Sequence, residues 1–345
     1  MQDYKVYKFN ELGLNQNILK NTVLILGNGA SISVNDCFYY DSLYARVCKN
    51  GMLGPNSMEL FKVLETTDFE LVLNKLRQAS IINKALNVDN NNIALKMYDN
   101  IRNALINAVK ETHVKFNDVI LQINNIKNFM GQFKTVISLN YDLLVYWAIM
   151  DSNYGKPHKL KDCFTKNIGN GNMGFEYDIK KLRKPYKGVS DPTLVFYPHG
   201  NLMLATNANN EEFKIKLSTQ NNLFKEISDK WGKNYVPLFV SEGNSKQKLT
   251  AIKRSSYLDF IYENILVDLG KVAVVYGWKL AKQEKYLINK IFHKNGIEQV
   301  FISIYLEDKS SVDDIKAEQD QIISLLKRRK IDIEIKFFDV SSKIC

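Results

Sequence analysis

Short segments made almost entirely of apolar residues are the feature that most constrains the fold of this chain. Such runs are typical of strands covered on both faces, whereas strands with one solvated face alternate apolar and polar residues. Between the later runs lie helical patterns, two of which end in glycine just before the next strand. This repetition predicts a doubly wound, mostly parallel α/β sheet with helices on both faces. The predicted strands cover residues 22–26, 133–139, 193–198, 236–241, 271–277, 299–306 and 332–340.

The first two predicted strands are about a hundred residues apart, which is far too long for a simple crossover. Helical patterns fill this interval, and they predict a helical insertion at about 40–130. A second segment, at about 151–192, is rich in Gly, Asn and Lys and is expected to form an irregular surface excursion. The length of 345 residues suits one large α/β domain, so we expect a single domain over 1–345 with these two additions.

The composition is that of an ordinary globular protein, with 45% apolar and 24% charged residues. No apolar run approaches the roughly 20 residues that cross a bilayer, and the first residues lack a basic region followed by an apolar core. We therefore expect a cytoplasmic protein without a membrane partner. The cysteines and histidines are scattered through the chain without metal-ligand spacing, so no metal site is expected.

Lys and Arg exceed Asp and Glu, which gives a net charge of +10. Such a surface can attract nucleic acid or anionic nucleotides. Many of the lysines, however, stand singly between apolar residues, a pattern that indicates a solvated basic surface. The tyrosines and phenylalanines form no series suited to stacking on bases, so nucleic-acid binding is an alternative without positive support.

A glycine-containing loop follows the first predicted strand in "VLILGNGASIS". Glycines at this point let the backbone turn tightly and approach a diphosphate, whose charge suits the N-terminus of the helix that follows. A standard dinucleotide dehydrogenase also has a second strand about 20 residues further on that ends in an acidic residue. The segment there reads "YARVCKNGMLGPNSM" and offers neither, so hydride transfer is not expected. The loop comprises Gly27, Asn28, Gly29, Ala30 and Ser31.

Two polar side chains, Asn140 and Asp142, follow the second predicted strand in "FKTVISLNYDLLVYW". Open α/β sheets bind ligands at the carboxyl ends of their strands, and this is such an end. If the extended geometry persists, alternation places Asn140 and Asp142 on one side and Tyr141 on the other. Taken alone, Asp142 is best interpreted as the cap of the next helix, which leaves Asn140 unexplained.

His199 ends the third predicted strand and is followed by Gly200. Lone histidines more often pack in the core than act in catalysis, but this one lies at the ligand-binding edge. A neutral imidazole there could serve as a general base. The later stretch "VSEGNSKQK" has a simpler interpretation, namely a loop in which Ser241 and Glu242 satisfy backbone groups beside Gly243 and Asn244.

The order Gly-Asn-Gly-Ala-Ser, Asn-Tyr-Asp and His-Gly resembles the NAD site of the sirtuin superfamily. It is more similar to the zinc-free bacterial sirtuin-like proteins, which include NAD hydrolases of anti-phage defence. Segments at 68–76, 237–258 and 274–292 also fit that branch, so the resemblance covers most of the chain through short motifs. The resemblance implies a Rossmann-like, sirtuin-like fold with NAD as the substrate and no metal.

The resemblance also implies a role for each site residue. The diphosphate would lie against the loop from Gly27 to Ser31. Asn140 would contact the nicotinamide ribose or position a water molecule, and Asp142 would hold the carboxamide. His199 would accept a proton from a ribose hydroxyl or from water. Together they would assist cleavage of the nicotinamide–ribose bond through an oxocarbenium-like state.

The sequence departs from the sirtuin pattern in two places. Leu139 stands where sirtuins usually carry Gln, which removes one ribose contact. The late Gly-x-Ser that touches the adenosine side of the cofactor reads Gly277-Trp278-Lys279, so Gly277 and Lys279 are the expected cofactor-binding residues there. Lys279 would either pair with a phosphate or obstruct the adenosine end. The four-cysteine zinc module of deacetylases is also missing from the sequence, which makes protein deacetylation the weakest option.

The resemblance therefore implies an NAD glycohydrolase that releases nicotinamide and ADP-ribose or its cyclic form, as an effector of anti-phage defence. The expected partners are a second copy of the chain or another protein of a defence system. Two alternatives remain open. The first is a non-catalytic module that senses NAD or ADP-ribose, and the second is a nucleic-acid-binding protein whose affinity falls steeply with salt.

Overall fold

The computed structural model describes most of the chain, and all structural statements below concern these residues. The described ranges are 4–39, 42–88, 92–152, 160–169, 171–185, 188–207, 209–215, 223–231, 235–240, 243–294, 296–306, 311–327 and 332–340.

Strands occur from the first described residues to the last, and we number them in chain order. They are β1 Val6–Tyr7, β2 Thr22–Leu26, β3 Thr135–Ser138, β4 Leu160–Lys161, β5 Phe164–Asn167, β6 Asn172–Phe175, β7 Thr193–Phe196, β8 Gly200–Thr206, β9 Glu212–Ile215, β10 Val236–Phe239, β11 Val272–Tyr276, β12 Gln299–Ile304 and β13 Glu334–Asp339.

Eight of these strands form a central sheet in the order β1-β13-β12-β11-β2-β3-β7-β4. Every pair of neighbours in it is parallel. If β2, β3, β7, β11, β12 and β13 are numbered one to six, they lie in the order 3-2-1-4-5-6 of the doubly wound Rossmann sheet. The predicted fold class is therefore confirmed. The chain runs outward from β2 on one side and returns to β11 on the other.

The central strands are apolar throughout because helices cover the sheet. In β2 every residue is buried, and Val23, Leu24 and Ile25 have no exposed surface. At about 25 cal/mol per Å² of apolar surface removed from water, such strands supply much of the driving force for folding. This burial on both faces explains why the strand pattern in the sequence is continuous rather than alternating.

A second sheet contains the other five strands in the order β10-β8-β9-β6-β5, and all its pairings are antiparallel. The predicted strand at 236–241 belongs to this sheet and not to the parallel one. Its residues Val236–Phe239 are all buried, so their pattern matches that of a parallel strand. The segment predicted as an irregular excursion also contains regular structure, namely β4, β5, β6 and a helix at Ile179–Leu182.

The helices are likewise numbered in chain order, and two of them, α12 and α13, are each followed directly by a π-helical turn. They are α1 Gln16–Leu19, α2 Asn28–Ile32, α3 Leu43–Lys49, α4 Pro55–Val63, α5 Phe69–Leu86, α6 Ile93–Glu111, α7 Ile120–Met130, α8 Leu144–Ser152, α9 Ile179–Leu182, α10 Leu223–Trp231, α11 Ser245–Arg254, α12 Ser256–Phe260 with a π-turn at Ile261–Ile265, α13 Lys285–Ile288 with a π-turn at Asn289–His293, and α14 Val312–Lys327.

Helices α3 to α7 occupy the segment predicted as a helical insertion. Local signals explain their starts, since the Asp68 side chain accepts the N–H groups of Glu70 and Leu71 at the first turn of α5. Helix α5 packs against α6 and also against β10, so the insertion contacts the second sheet. Within the described part of the chain, no helix combines the length and the apolar character that a bilayer span requires.

Candidate functional site

The switch point of the Rossmann sheet lies between β2 and β11. The strands that follow β2 lie on one side of this point, and the strands that follow β11 lie on the other. A cavity of about 350 Å³ opens there, at the carboxyl ends of the strands. This is the place where open α/β sheets bind ligands, and the volume lies within the usual range of about 300–1,000 Å³. Most of the predicted site residues line the cavity: Gly27, Asn28, Gly29, Asn140, Asp142, His199, Gly277 and Lys279.

A larger cavity of about 770 Å³ lies elsewhere, and its lining includes Lys20, Leu160 and Thr193. These residues precede or begin β2, β4 and β7, so this cavity lies at the amino ends of the strands. The ligand sites of such sheets lie at the opposite edge. We therefore treat the smaller cavity as the functional site, because position at the switch point is a stronger argument than size.

The backbone of the glycine loop passes so close to the backbone at Gly277 that it leaves no room for side chains at Gly27 and Gly29. A Cβ atom built on Gly29 would lie 2.7 Å from Cα of Gly277, and one on Gly27 would lie 2.6 Å from the Gly277 oxygen. The N–H of Gly27 donates to the Tyr276 carbonyl, and the N–H of Gly29 donates to the Gly277 carbonyl. These two N–H groups are therefore used inside the protein, and the glycines offer a ligand close approach instead of hydrogen bonds.

Ser31 and Ala30 lie behind the cavity wall in α2, and both are buried. The side chain of Asn140 donates from Nδ2 to the Gly27 carbonyl at 3.0 Å and to Oγ of Ser31 at 2.8 Å. The Ser31 hydroxyl in turn donates to Oδ2 of Asp142 at 2.5 Å. The loop after β2 and the turn after β3 are thus joined by one buried network.

The orientation of the Asn140 amide follows from this network. A carbonyl oxygen accepts hydrogen bonds and never donates, so the amide nitrogen must face Gly27 and cannot be exchanged with the oxygen. In the described part of the chain, both hydrogen bonds of the Asn140 side chain are donated by Nδ2, and its Oδ1 accepts none. Asn140 also lines the cavity.

Asp142 caps the following helix, and it is also part of the cavity wall. Its Oδ1 accepts the N–H of Leu144 at 2.9 Å, at the first residue of α8, and so it caps that helix. It also lines the cavity. Burial raises the pKa of Asp142, and the hydrogen bonds from Ser31 and Leu144 act in the opposite direction. The cap and the hydrogen bond from Ser31 thus give Asp142 structural roles besides the carboxamide binding that the resemblance implies.

The extended geometry does not persist beyond Ser138, where β3 ends. Tyr141 lines the same cavity as Asn140 and Asp142, and it does not lie on the opposite side as strict alternation predicted. Its ring is stacked on Phe239 with a centroid distance of 5.1 Å and an interplanar angle of 22°. Asn140, Tyr141 and Asp142 therefore all line the same cavity.

His113, from the end of the helical insertion, holds this turn from the other side. The Leu143 N–H donates to Nε2 of His113 at 2.9 Å, so the proton of the imidazole lies on Nδ1, which donates to the Val114 carbonyl. Burial lowers the pKa of His113 to about 4, which keeps the ring neutral and able to accept. No sequence pattern indicated this contact, because the two residues are 30 positions apart in the chain.

His199 lines the cavity as a buried, neutral imidazole with 3% of its surface exposed. Its Nδ1 donates to the Leu139 carbonyl at 3.2 Å, and Nε2 lies 2.6 Å from the hydroxyl of Tyr286. Burial, with a smaller effect from the nearby Lys248, lowers the pKa of His199 to about 3. Tyr286 was not predicted, because nothing in its own segment indicates a partner 87 positions away.

Gly200, the second residue of the His-Gly motif, is required by the conformation of the backbone at this position. Its φ is +73°, and a Cβ there would lie 2.1 Å from the Leu238 carbonyl oxygen. Only glycine tolerates this conformation and this close approach of β10. The motif therefore combines a side chain at the cavity with a backbone turn into the second sheet.

The sequence analysis also did not identify the ionic groups of the far wall. Lys248 on α11 is 7% exposed, lines the cavity and lies 3.8 Å from Oε1 of Glu284. Glu284 also accepts a hydrogen bond from the indole N–H of Trp278. Lys279, which was predicted, is exposed at the rim of the cavity. Helical spacing on α11 would have placed Lys248 on the side of buried Ile252, which is the signal that could have indicated it.

The remaining expectations concern the loop before α11 and metal binding. Asn244 caps α11 by accepting the N–H groups of Lys246 and Gln247, which agrees with its interpretation as a structural loop residue. Ser241 and Glu242 lie outside the described residues. In the described ranges there is no group of three or more His, Cys, Asp or Glu side chains arranged to hold a metal ion.

The fold and the site define a Rossmann-like α/β protein with a polar cavity at the switch point of its sheet. A family model described as "Domain of unknown function (DUF4917)" matches residues 24–345, so the chain belongs to this family. A comparison with curated proteins found no match.

Proposed function

We propose that the protein is a cytoplasmic NAD glycohydrolase that cleaves the nicotinamide–ribose bond within the switch-point cavity. The observation that carries the proposal is the convergence of three separated motifs on that cavity. The loop at Gly27 and Gly29, the amide of Asn140 and the imidazole of His199 lie at the carboxyl ends of β2, β3 and β7. A nucleotide is the ligand class that such a crevice accommodates.

Asn140 supplies an amide oxygen to the cavity, since its nitrogen is used by Gly27 and Ser31. An acceptor in this position orients a ribose hydroxyl or an attacking water molecule. Because the amide is fixed by two buried hydrogen bonds, it requires no reorganisation when the ligand binds. Such preorganisation is the main protein contribution to reactions of this kind.

His199 supplies a neutral base. The bond between nicotinamide and the ribose breaks with its electron pair going to the pyridine nitrogen, so the leaving group is neutral nicotinamide. Water then bonds to the anomeric carbon of the oxocarbenium-like sugar and gives up a proton, which Nε2 of His199 accepts. General-base assistance of this kind contributes about 10²- to 10⁴-fold in rate.

A second function is favoured by one observation, which is that both ring nitrogens of His199 already have partners in the protein. A module that binds NAD or ADP-ribose without turnover has no need of a free base. This alternative keeps the same cavity and the same ligand. The role in anti-phage defence, and a second copy or a defence-system protein as partner, belong to the proposal through the resemblance to sirtuin-like proteins.

The test is nicotinamide release from NAD by the purified protein and by the variants Asn140→Ala and His199→Ala. His293→Ala is a matched control, because this histidine lies in the π-turn after α13 and does not line the cavity. We expect turnover in the native protein and the control and a loss of at least about a hundredfold in both site variants. Tight NAD binding without turnover would favour the sensor, and turnover that survives both substitutions would contradict the site.

A further inference from the structure

We infer that Tyr286 is a positioning residue for the proposed reaction: its hydroxyl holds the Nε2 lone pair of His199, and His199 accepts a proton from a ligand only when that hydroxyl is withdrawn. The catalytic part of this inference rests on the proposed function. The structural part, which concerns the availability of one nitrogen lone pair, is independent of what the ligand is.

The direction of the hydrogen bond between the two residues follows from the carbonyl of Leu139. A carbonyl oxygen only accepts, so Nδ1 of His199 must carry the proton that it donates over 3.2 Å. A neutral imidazole then has its lone pair on Nε2. The hydroxyl of Tyr286, 2.6 Å away, is therefore the donor to that lone pair. The atom that would act as the base is already hydrogen-bonded.

Tyr286 approaches His199 from inside the protein. Its side chain is 5% exposed and does not line the cavity, whereas His199 does. Burial, with a smaller effect from Glu284, raises the pKa of Tyr286 well above its usual value, so the hydroxyl keeps its proton and remains a donor. A ligand in the cavity thus faces an imidazole whose basic nitrogen is held from behind.

The segment that carries Tyr286 also forms part of the cavity wall. Gln283 and Glu284 line the cavity, and Tyr286 follows in the first turn of α13. Glu284 is held by the Trp278 indole and by Lys248. A ligand that changes these contacts acts on the same short segment that positions the hydroxyl. Binding can in this way be coupled to withdrawal of the Tyr286 hydroxyl from Nε2 of His199, to the extent that the ligand binds more tightly when the hydroxyl is withdrawn.

The test uses Tyr286→Phe, which removes the hydroxyl and keeps the ring. Diethyl pyrocarbonate acylates an imidazole nitrogen only when its lone pair is available, and mass spectrometry locates the modified residue. We expect His199 to be unreactive in the native protein and to react at least about fivefold faster in Tyr286→Phe, as the loss of one hydrogen bond implies. Tyr262→Phe is the control, since this neighbouring ring lies 6.3 Å from Tyr286 and has no bond to His199.

His113 reports on the fold in the same experiment, because both of its nitrogens are also bonded inside the protein. It should stay unreactive in all three proteins. If His113 reacts in Tyr286→Phe, the comparison is made with Tyr286→Met, which also lacks the hydroxyl and whose flexible side chain adapts to the space left by the ring. A His199 that reacts equally in the native protein and in Tyr286→Phe, or in neither, would overturn the inference.

Turnover of NAD provides the second measurement. If the hydroxyl restrains the base, Tyr286→Phe should raise turnover about five- to tenfold, while Tyr262→Phe leaves it unchanged. A fall in turnover would show that the hydroxyl assists the base, and it would overturn the restraint. An absence of turnover in every protein, with His199 still released only in Tyr286→Phe, would contradict the proposed function and leave the assignment of the lone pair standing.

Discussion

The hydroxyl of Ser31 donates to Oδ2 of Asp142, and this single bond joins the first turn of the Rossmann unit to a residue 111 positions later. Ser31 is 1% exposed and Asp142 is 6% exposed, so neither is solvated. Ser31 also accepts a hydrogen bond from Asn140. The serine is therefore the centre of the network that fixes the two polar residues of the cavity.

Replacement of Ser31 by Ala should destabilise the protein by about 1–3 kcal/mol, because it removes the donor to a buried carboxylate oxygen and one of the two acceptors of the Asn140 amide. Urea unfolding of Ser31→Ala measures the change. Ser33→Ala is the control on the same stretch, where the hydroxyl donates to the Ala30 carbonyl and accepts a long hydrogen bond from Tyr276 at a partly buried position. Equal destabilisation by the two substitutions would contradict the central role of Ser31.

Replacement of Gly277 by Ala should destabilise the protein by more than about 3 kcal/mol, because it adds a clash to an unfavourable backbone conformation. Gly277 has a φ of +69°, and its Cβ would lie 2.2 Å from the Ala30 nitrogen. Gly51 offers a matched comparison, with a φ of +64° and nothing within 4 Å of a Cβ. Gly51→Ala should cost only the conformational strain of about 1–2 kcal/mol. Thermal unfolding of both variants measures the two losses of stability. A similar loss in both would contradict the close approach of Gly277 to the segment after β2.

Stability should fall as the pH is lowered from about 6.5, because two histidines are neutral and buried. The pKa of His113 is lowered to about 4 and that of His199 to about 3. Between these values and about 6.5 the unfolded chain binds the protons and the folded chain does not, so each histidine costs up to about 1.4 kcal/mol per pH unit. Three carboxyls whose pKa values are raised by desolvation, Glu70, Asp142 and Glu212, work in the opposite direction.

The variant His113→Gln separates these contributions, since its side chain can still accept from Leu143 but does not titrate. Guanidinium unfolding at pH 7 and pH 5 should show a smaller loss of stability in His113→Gln than in the native protein. The same pH dependence in both proteins would mean that His113 titrates normally in the folded state.

Replacement of Lys248 by Met should weaken binding of ADP-ribose by about tenfold or more, because it removes a largely buried ammonium from the cavity wall. The salt dependence of binding should also decrease. Lys246→Met is the control, since Lys246 is exposed on the same helix and does not line the cavity. Isothermal titration at two salt concentrations gives both quantities. Equal effects of the two substitutions would indicate only a general attraction between the basic surface and the ligand.

The sequence predicted the parallel sheet because its strands are apolar throughout, but the same property hid the second sheet. Val236–Phe239 is as buried as Thr22–Leu26, and periodicity does not reveal which sheet a covered strand joins. The segment from Gly200 forms a strand, β8, that pairs with both β9 and β10 and was not predicted. Its direction is set by the glycine turn at His199 and not by any pattern within the strand.

The sequence has no predicted strand about 20 residues after the first, where a standard dinucleotide-binding unit has its second strand. The strand that pairs with β2 is β3, and it ends beside Asp142. The helical insertion separates the two halves of the unit along the chain without separating them in space. Positions at strand ends were therefore predictable, whereas contacts such as that of His199 with Tyr286 depend on packing between distant segments.

The long separations within the site also bear on how the protein is made. The residues that meet there come from β2, from the turn after β3, from the end of β7 and from α13, which begins at Lys285. A ribosome synthesises β2, β3 and β7 before α13 emerges. Contacts of such high sequence separation also form slowly. A nascent or prematurely terminated chain that lacks α13 therefore lacks a complete site, and the cavity is finished only after this segment has been made.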